Sequence, residues 1–356
     1  MAAEDGHIGG GGPRGLTGRP TLRTIAYMTG LGVTTVSRAL NDAPDIGQAT
    51  KERVRLVAQQ IGYRPNRAGV RLRTGKTNVI SLILSVEAEV LGLTPHLVYG
   101  ISETLAGTPY HLIVTPYHPR NDPLDPVRYI VETGSADGVI FSRTEPEDPR
   151  VRYLHERGFP FATHGRTRME IVHPYFDFDN ERYAELAVER LAARGRRRLA
   201  LLPPPATLTY AHHMTTGFDR AVDRLDLTEL PLRDVTIDSG HAAIEAEVAR
   251  VMDSPRRRPD GFVCGSASAA IAVISAAEAC GFEIGRDYDL AVKDSFHMMQ
   301  KFRRETIVIH EDFRAAGTFL AQAVVRTLRG VPPEELRAIQ APPDAATGAS
   351  ALIPGD

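Results

Sequence analysis

Apolar positions recur at two different periods along this 356-residue chain. Up to about residue 73 the spacing is helical, and from residue 79 onward short apolar runs alternate with amphipathic stretches. Ile25, Ala26 and Met28 fall on or near one face of a first helix, which Thr21 can cap through its hydroxyl. Gly30 follows where a short turn wants a left-handed backbone. A second helix from about residue 33 points Val36 and Leu40 inward and leaves Thr34, Thr35, Ser37 and Arg38 outward. A third helix over 48–61 carries Val54, Val57, Ala58 and Ile61 on one face and ends at Gly62. Pro65 suits the opening turn of a further short helix over 66–73, which is basic and holds Leu72; 74–77 is a linker. The first two helices have the layout of a helix-turn-helix. Its outward hydroxyls and guanidinium can donate to phosphates and base edges, although an ordinary helical hairpin shares the spacing.

Beyond residue 79 the pattern predicts strands at 79–86, 111–115, 138–142, 159–163, 198–202, 235–237, 261–264, 290–293 and 307–309. Helices fall between them, at 94–106, 127–133, 149–157, 181–193, 213–224, 241–253, 266–280 and 311–329. Strand–helix alternation at this period means parallel sheets with right-handed crossovers. The strands are many for one sheet, so two similar doubly wound lobes fit better, with a ligand cleft between them. The fold class is therefore α/β with a small all-α head. The Gly-rich residues 1–19 are expected to be a disordered arm, 20–64 the head, and 65–77 a hinge helix and linker. One lobe is expected to hold 78–178 plus 306–331, the other 179–305 plus 332–356.

Charge sharpens the picture of the head. Residues 1–76 hold 12 Lys and Arg against 5 Asp and Glu, a net of +7, while the remainder holds 30 against 39, a net of −9. A small basic head on an acidic body is an electrostatic footprint for nucleic acid, and the acidic body confines the contact to the head. No run of about 18 apolar residues exists, so no membrane span is expected. The start of the chain lacks a signal-peptide core, and Cys264 and Cys280 have no metal or redox spacing. A reduced cytoplasm is the natural compartment, with each cysteine a small core residue.

Catalytic signatures are missing. The phosphate-binding loop that Gly75-Lys76-Thr77 suggests needs a glycine at position 70, which is Val70. There is no Gly-x-Gly-x-x-Gly after a strand, no His-Glu-x-x-His and no Gly-x-Ser-x-Gly. The pair His212-His213 suits polar contacts better than a metal. No cofactor and no metal are expected.

The head strongly resembles the LacI/GalR family of bacterial transcription regulators. The resemblance rests on Thr21-Leu22, Val36-Ser37-Arg38-Ala39-Leu40-Asn41, Lys51-Glu52-Arg53-Val54, Ile61-Gly62-Tyr63-Arg64-Pro65-Asn66 and Leu72-Arg73-Thr74-Gly75. The body is similar to the family's periplasmic-binding-protein-like sensor through Ala136-Asp137-Gly138-Val139-Ile140, Gly158-Phe159-Pro160, Asp177-Phe178-Asp179-Asn180, Gly217-Phe218 and Arg258-Pro259-Asp260-Gly261. The likeness spans about 20–330. It implies that Val33, Thr34 and Arg38 meet major-groove base edges, with Arg38 bidentate to guanine. It implies that Thr21, Thr35, Ser37 and Asn41 hold phosphates. Asn66, Arg67, Arg71 and Leu72 match the hinge helix, where Leu72 stands at the position of a leucine pushed between base pairs in the minor groove.

The chain departs from the family at several points. Gly47 replaces the serine that usually caps the third helix, so that end should fray; Gly69 stands mid-hinge where alanine is usual. The arginine usual three residues before Gly217-Phe218 is Met214, the usual Asn-Asp after Cys264 is Gly265-Ser266, and the late Phe-Asp-Asp reads Lys293-Asp294-Ser295. Standard sugar contacts therefore do not carry over. Polar residues at strand C-termini nominate the cleft instead: Ser85, Glu87, Tyr117, Arg143, His164, Arg166, Ser266, Lys293 and Asp294, joined by His213, Asp179 and a stacking ring from Tyr117 or Phe178. Their excess of cations also permits an acidic or phosphorylated sugar. The expectation is a homodimeric, cytoplasmic repressor on a palindromic double-stranded DNA operator, controlled by a carbohydrate-like effector. Alternatives are a sugar-converting α/β enzyme with a DNA-binding head, or a DNA-binding protein whose sensor only dimerises.

Overall fold

A computed structural model describes residues 20–63, 71, 75–85, 93–118, 120–295, 299–343 and 351–355. The chain divides into two units, Met1–Thr77 and Asn78–Asp356.

In the first unit, α1 (Leu22–Thr29), α2 (Val33–Leu40) and α3 (Gln48–Gln60) enclose a small core. Ile25, Val36 and Val54 are fully buried there, with Ala26, Ala39 and Ala58 beside them. Each of the three larger side chains contributes roughly 1.5–3 kcal/mol by leaving water. Thr29, not Met28, completes the inner face of α1; Met28 is exposed. Thr21 caps α1 in a reciprocal box with Thr24, and Gly30 ends it in a left-handed conformation, φ 67°. Arg53 on α3 donates to the Thr29 carbonyl at 2.8 Å, tying the third helix to the end of the first.

The second unit holds two sheets. The larger runs β12-β11-β5-β4-β3-β1-β2, built from β1 (Val79–Ser85), β2 (His111–Tyr117), β3 (Gly138–Ser142), β4 (Phe161–His164), β5 (Tyr175–Phe178), β11 (Arg337–Gln340) and β12 (Leu352–Pro354). The smaller runs β10-β9-β8-β6-β7, from β6 (Arg198–Leu202), β7 (Thr228–Glu229), β8 (Gly261–Cys264), β9 (Asp289–Asp294) and β10 (Ile307–His310). Pairing is parallel except between β11 and β12. The helices covering the larger sheet are α4 (Leu93–Leu105), α5 (Asp125–Thr133), α6 (Pro149–Glu156) and α12 (Phe313–Thr327). Those covering the smaller are α7 (Asn180–Ala193), α8 (Thr209–Arg224), α9 (His241–Met252) and α10 (Ala267–Ala279), with the short α11 (Met299–Phe302) beside them. Close helix packing needs the glycines: a Cβ on Gly217 of α8 would stand 2.1 Å from the Glu181 carbonyl oxygen of α7.

Four expectations are corrected here. Residues 332–356 do not join the second lobe, because β11 pairs with β5 and β12 with β11 in the larger sheet. The return crossing also comes later than residue 306, since β10 still pairs with β9 in the smaller sheet. Residues 235–237 form no strand; Val235 and Ile237 are buried as loop residues against α9 and α10, and β7 is the edge. Cys264 is buried but Cys280 is exposed. No helix among the described residues is long and apolar enough to cross a membrane.

Candidate functional site

The outer face of α2 carries Val33, Thr34 and Arg38, all exposed, with Thr35 and Ser37 half-buried beside them. Its N-cap is Gly32, which offers no side-chain acceptor, so the N–H groups of the first turn are left for an acceptor from outside. Arg38 is not idle: its Nη2 pairs with Asp45 Oδ1 at 2.5 Å, a partner that sequence reasoning missed. Thr21 is committed to the α1 cap, and the Asn41 amide donates to the Ser37 carbonyl. Asp42 anchors the following loop through Lys51 at 3.1 Å and Arg55 at 3.0 Å. Arg71 is exposed, whereas Asn66, Arg67, Leu72 and the cleft nominee Glu87 lie outside the described residues.

In the second unit, strand register aligns the nominees. Ser85 pairs with Tyr117 at the end of β1 and β2, and Ser142 with His164 at the end of β3 and β4. The smaller sheet presents Lys293 and Asp294 at the end of β9, and Ser266 just past β8. Contacts between the two sheets show that these edges face each other. The Thr209 N–H donates to the Thr144 carbonyl at 2.9 Å. Arg143, just past β3, reaches Asp238 of the other lobe with both terminal nitrogens, Nη1 to Oδ1 at 3.2 Å. At the crossing, Lys293 Nζ lies 2.8 Å from Glu311 Oε2 and 3.0 Å from Asn180 Oδ1.

Electrostatics decides what such a cleft can hold. Arg166 Nε pairs with Asp177 Oδ2 at 3.1 Å, and burial pushes that carboxyl up to about 6 against the pull of Arg166. His164 lies tilted against Phe313, ring centres 4.8 Å apart, and burial holds its imidazole below the ordinary value. Its Nε2 stands 3.7 Å from Glu311, beyond hydrogen-bond reach. Burial, with Arg166 beside it, lowers His213 to about 4. The cation excess expected from sequence therefore disappears: Arg143, Arg166 and Lys293 each have a carboxylate partner, and both histidines are neutral at pH 7. Among the nominees and their neighbours, Ser85 Oγ, His164 Nε2, Thr209 Oγ1 and His213 Nδ1 are buried without a hydrogen-bond partner. Buried polar atoms without partners are costly unless something arrives to satisfy them.

Other nominees have structural duties. Phe178 is fully buried, packed on Tyr183, with Lys293 Nζ 5.4 Å from its ring centre; no face is free for stacking. Tyr210, which sequence reasoning overlooked, has its ring centre 5.2 Å from the same ammonium. Asp294 is buried and accepts the Met299 N–H at 3.1 Å, at the start of α11. Ser266 and Asp179 are N-caps of α10 and α7. Met214 and Gly265 fit one another: a Cβ on Gly265 would lie 3.2 Å from Ile237 and 3.5 Å from Met214. An apolar wall thus stands where the resemblance places Arg and Asn. Asp238, Thr209 and Glu311 left no local signal, because their partners lie far away in the chain. Among the described residues no group of His, Cys, Asp and Glu is placed to hold a metal ion.

The comparisons agree with this anatomy. Residues 21–66 match the bacterial regulatory proteins of the lacI family, and 188–351 match the periplasmic binding protein-like domain. The transcriptional regulator RafR of Escherichia coli is 34% identical over 229 residues, covering 63% of this chain and 68% of RafR. The chain belongs to the LacI family. The regulator AglR of Rhizobium meliloti (strain 1021) is 29% identical over 318 residues, 85% of this chain and 86% of AglR. The lac repressor dimer bound to operator and the anti-inducer ONPF shares the fold at TM-score 0.75 and 19% identity, covering 88% of this chain and 94% of that one. A complex of the regulator CelR with cellobiose does so at TM-score 0.64 and 22% identity, over 94% and 98%. This LacI-family chain is a DNA-binding transcriptional regulator, not an enzyme.

Proposed function

We propose that the chain is a homodimeric repressor whose cleft takes a neutral carbohydrate that controls its grip on a palindromic operator. The observation that carries the effector class is the charge balance of the cleft beside its unpartnered buried atoms. A sugar hydroxyl both donates and accepts, so it can satisfy Ser85 Oγ, His164 Nε2, Thr209 Oγ1 and His213 Nδ1. An anionic sugar finds its cations already paired with Asp238, Asp177 and Glu311. The CelR neighbour, solved as a complex with cellobiose, fits the same class. Operator contact falls to Val33, Thr34, Thr35, Ser37 and Arg38, with hinge residues Asn66, Arg67, Arg71 and Leu72 assigned by resemblance. The dimer draws support from apolar surface on the larger lobe: Ile113 and Val114 on the edge strand β2, Tyr99 on α4 and Tyr129 on α5 are exposed.

Thermal-shift and calorimetric titration of the full chain with cellobiose, maltose, melibiose, glucuronate and glucose 6-phosphate tests the effector class. Binding of a neutral disaccharide alone is expected; preference for the charged sugars rejects the proposal. Sedimentation of the free chain at micromolar concentration is expected to give a dimer.

A further inference from the structure

Arg143 has an unusual backbone. Its φ is 60°, in the left-handed region that residues with side chains seldom occupy. Such a conformation persists only where the surroundings over-determine it. Here they do. Arg150, buried in the first turn of α6, donates Nη1 to the Ser142 carbonyl at 3.3 Å and Nη2 to the Arg143 carbonyl at 2.8 Å. Asp148, also fully buried, accepts Arg150 Nε at 3.0 Å and Nη2 at 2.7 Å. The same carboxylate takes the backbone N–H groups of Glu145 and Arg150, at 3.1 and 2.9 Å. Phe141 supplies a floor, its ring centre 4.4 Å from the Arg150 guanidinium carbon.

A buried ion pair is weak evidence for stability, because apolar side chains of similar volume pack as well. What this pair does that apolar groups cannot is bind the two carbonyls at the base of Arg143. The side chain then leaves the end of the sheet toward the opposite lobe and meets Asp238. Tyr117 and Tyr210 lie within electrostatic reach of the same guanidinium, one from each lobe. The Thr144–Thr209 backbone bond between the lobes is one residue further on.

We propose that Arg143 and Asp238 form a specificity-determining pair that grips adjacent hydroxyls of the sugar from opposite lobes, and that Arg150 is the positioning residue that aims Arg143. The assignment rests on the neutral-carbohydrate effector proposed above. A guanidinium only donates and a carboxylate only accepts. Neighbouring hydroxyls do both, so they can be held by the two jaws at once. A carboxylate or phosphate in that place meets Asp238, and an ammonium meets Arg143. The pair therefore admits a neutral diol and turns away its charged analogues.

The full chain tests this with two readouts. Without ligand, amide hydrogen exchange at Thr209 reports how tightly the lobes meet beside the pair. Arg143→Gln and Asp238→Asn are each expected to speed it severalfold. Arg150→Lys should speed it in the wild-type background but not on top of Arg143→Gln. Equal acceleration in both backgrounds makes Arg150 a merely structural residue and overturns its role. If Arg150→Lys does not melt cooperatively, the cycle between Arg143→Gln and Asp238→Asn decides, and additive effects overturn the pair. With cellobiose, maltose, melibiose and glucuronate as probes, Asp238→Asn is expected to weaken the neutral sugar tenfold or more and to narrow its advantage over glucuronate. If no neutral sugar binds the wild type, the carbohydrate proposal falls and this assignment with it. If one binds and Asp238→Asn holds it as tightly, only the assignment falls.

Discussion

Asp177 and His213 both lie within electrostatic reach of Arg166 and titrate in opposite senses. With its carboxyl raised from 3.8 to about 6, folded Asp177 binds its proton more tightly than the unfolded chain does. Its contribution to stability is fully present below about pH 4 and is lost as pH rises through 6. His213, lowered from 6.5 to about 4, binds its proton less well when folded, so it withdraws stability as pH falls across that interval. Relative to wild type, Asp177→Asn should gain melting temperature as pH rises from 4 to 7, and His213→Gln should gain as it falls from 6.5 to 4. A melting series across pH 4–8 checks both, and parallel curves for variant and wild type reject them. In the head, Arg38→Ala is expected to cost about 1–3 kcal/mol at one operator position and to flatten discrimination there, read by binding to single-substitution operators. Asp45→Asn removes the carboxylate that pairs with Arg38. It should tighten binding to random DNA, and unchanged random-DNA affinity would show that Asp45 does not restrain the arginine.

Elements were legible where one physical signal dominated. Buried parallel strands show as continuous apolar runs, and so β3, β6 and β8 have the bounds expected for them. The first-helix cap was visible because Thr21 and Gly30 bracket a helical period, and Thr21→Ala should cost about 1 kcal/mol of head stability in denaturant titration. β5 was missed because Asp177 interrupts its apolar run, and only the Arg166 partner explains a carboxylate there. β11 was missed because four residues, Arg337 to Gln340, bury themselves on an existing sheet edge without any pattern of their own. Residues 235–237 misled in the other direction, since burial of Val235 and Ile237 needs no strand. Packing between elements left clearer marks in glycine. With a Cβ only 2.1 Å from the Glu181 carbonyl oxygen, Gly217→Ala forces α7 and α8 apart. A loss of about 1–3 kcal/mol is expected, outweighing the helix-propensity gain of roughly 1 kcal/mol.

At the scale of the whole molecule, the segments joining the two lobes are tied together. The Asp179 N–H donates to the Gln340 carbonyl at 2.9 Å, and the Asp312 N–H to Gln340 Oε1 at 3.0 Å. Lys293, Glu311 and Asn180 meet at the same level. In the function proposed above, an effector that draws the lobes together would act on these shared connections and so couple the cleft to whatever the larger lobe contacts. Linkage then requires reciprocity: the factor by which a neutral disaccharide weakens operator binding must equal the factor by which operator weakens the disaccharide. Titrating the sugar with and without operator measures both factors, and a sugar that binds without changing operator affinity would refute allosteric control.

The sequence by itself determined the head, the charge split between head and body, and the two-lobed α/β plan. Each of these is written in local periodicity, capping residues or summed charge, which need no knowledge of distant neighbours. Tertiary structure alone decided the character of the cleft. Arg143 and Asp238 are 95 positions apart, so no local pattern shows their pairing. Sequence offered a row of cations at strand ends; folding supplied Arg143, Arg166 and Lys293 each with a carboxylate and left neutral donors and acceptors without partners. Charge in a folded site belongs to pairs, and pairing is a property of three dimensions.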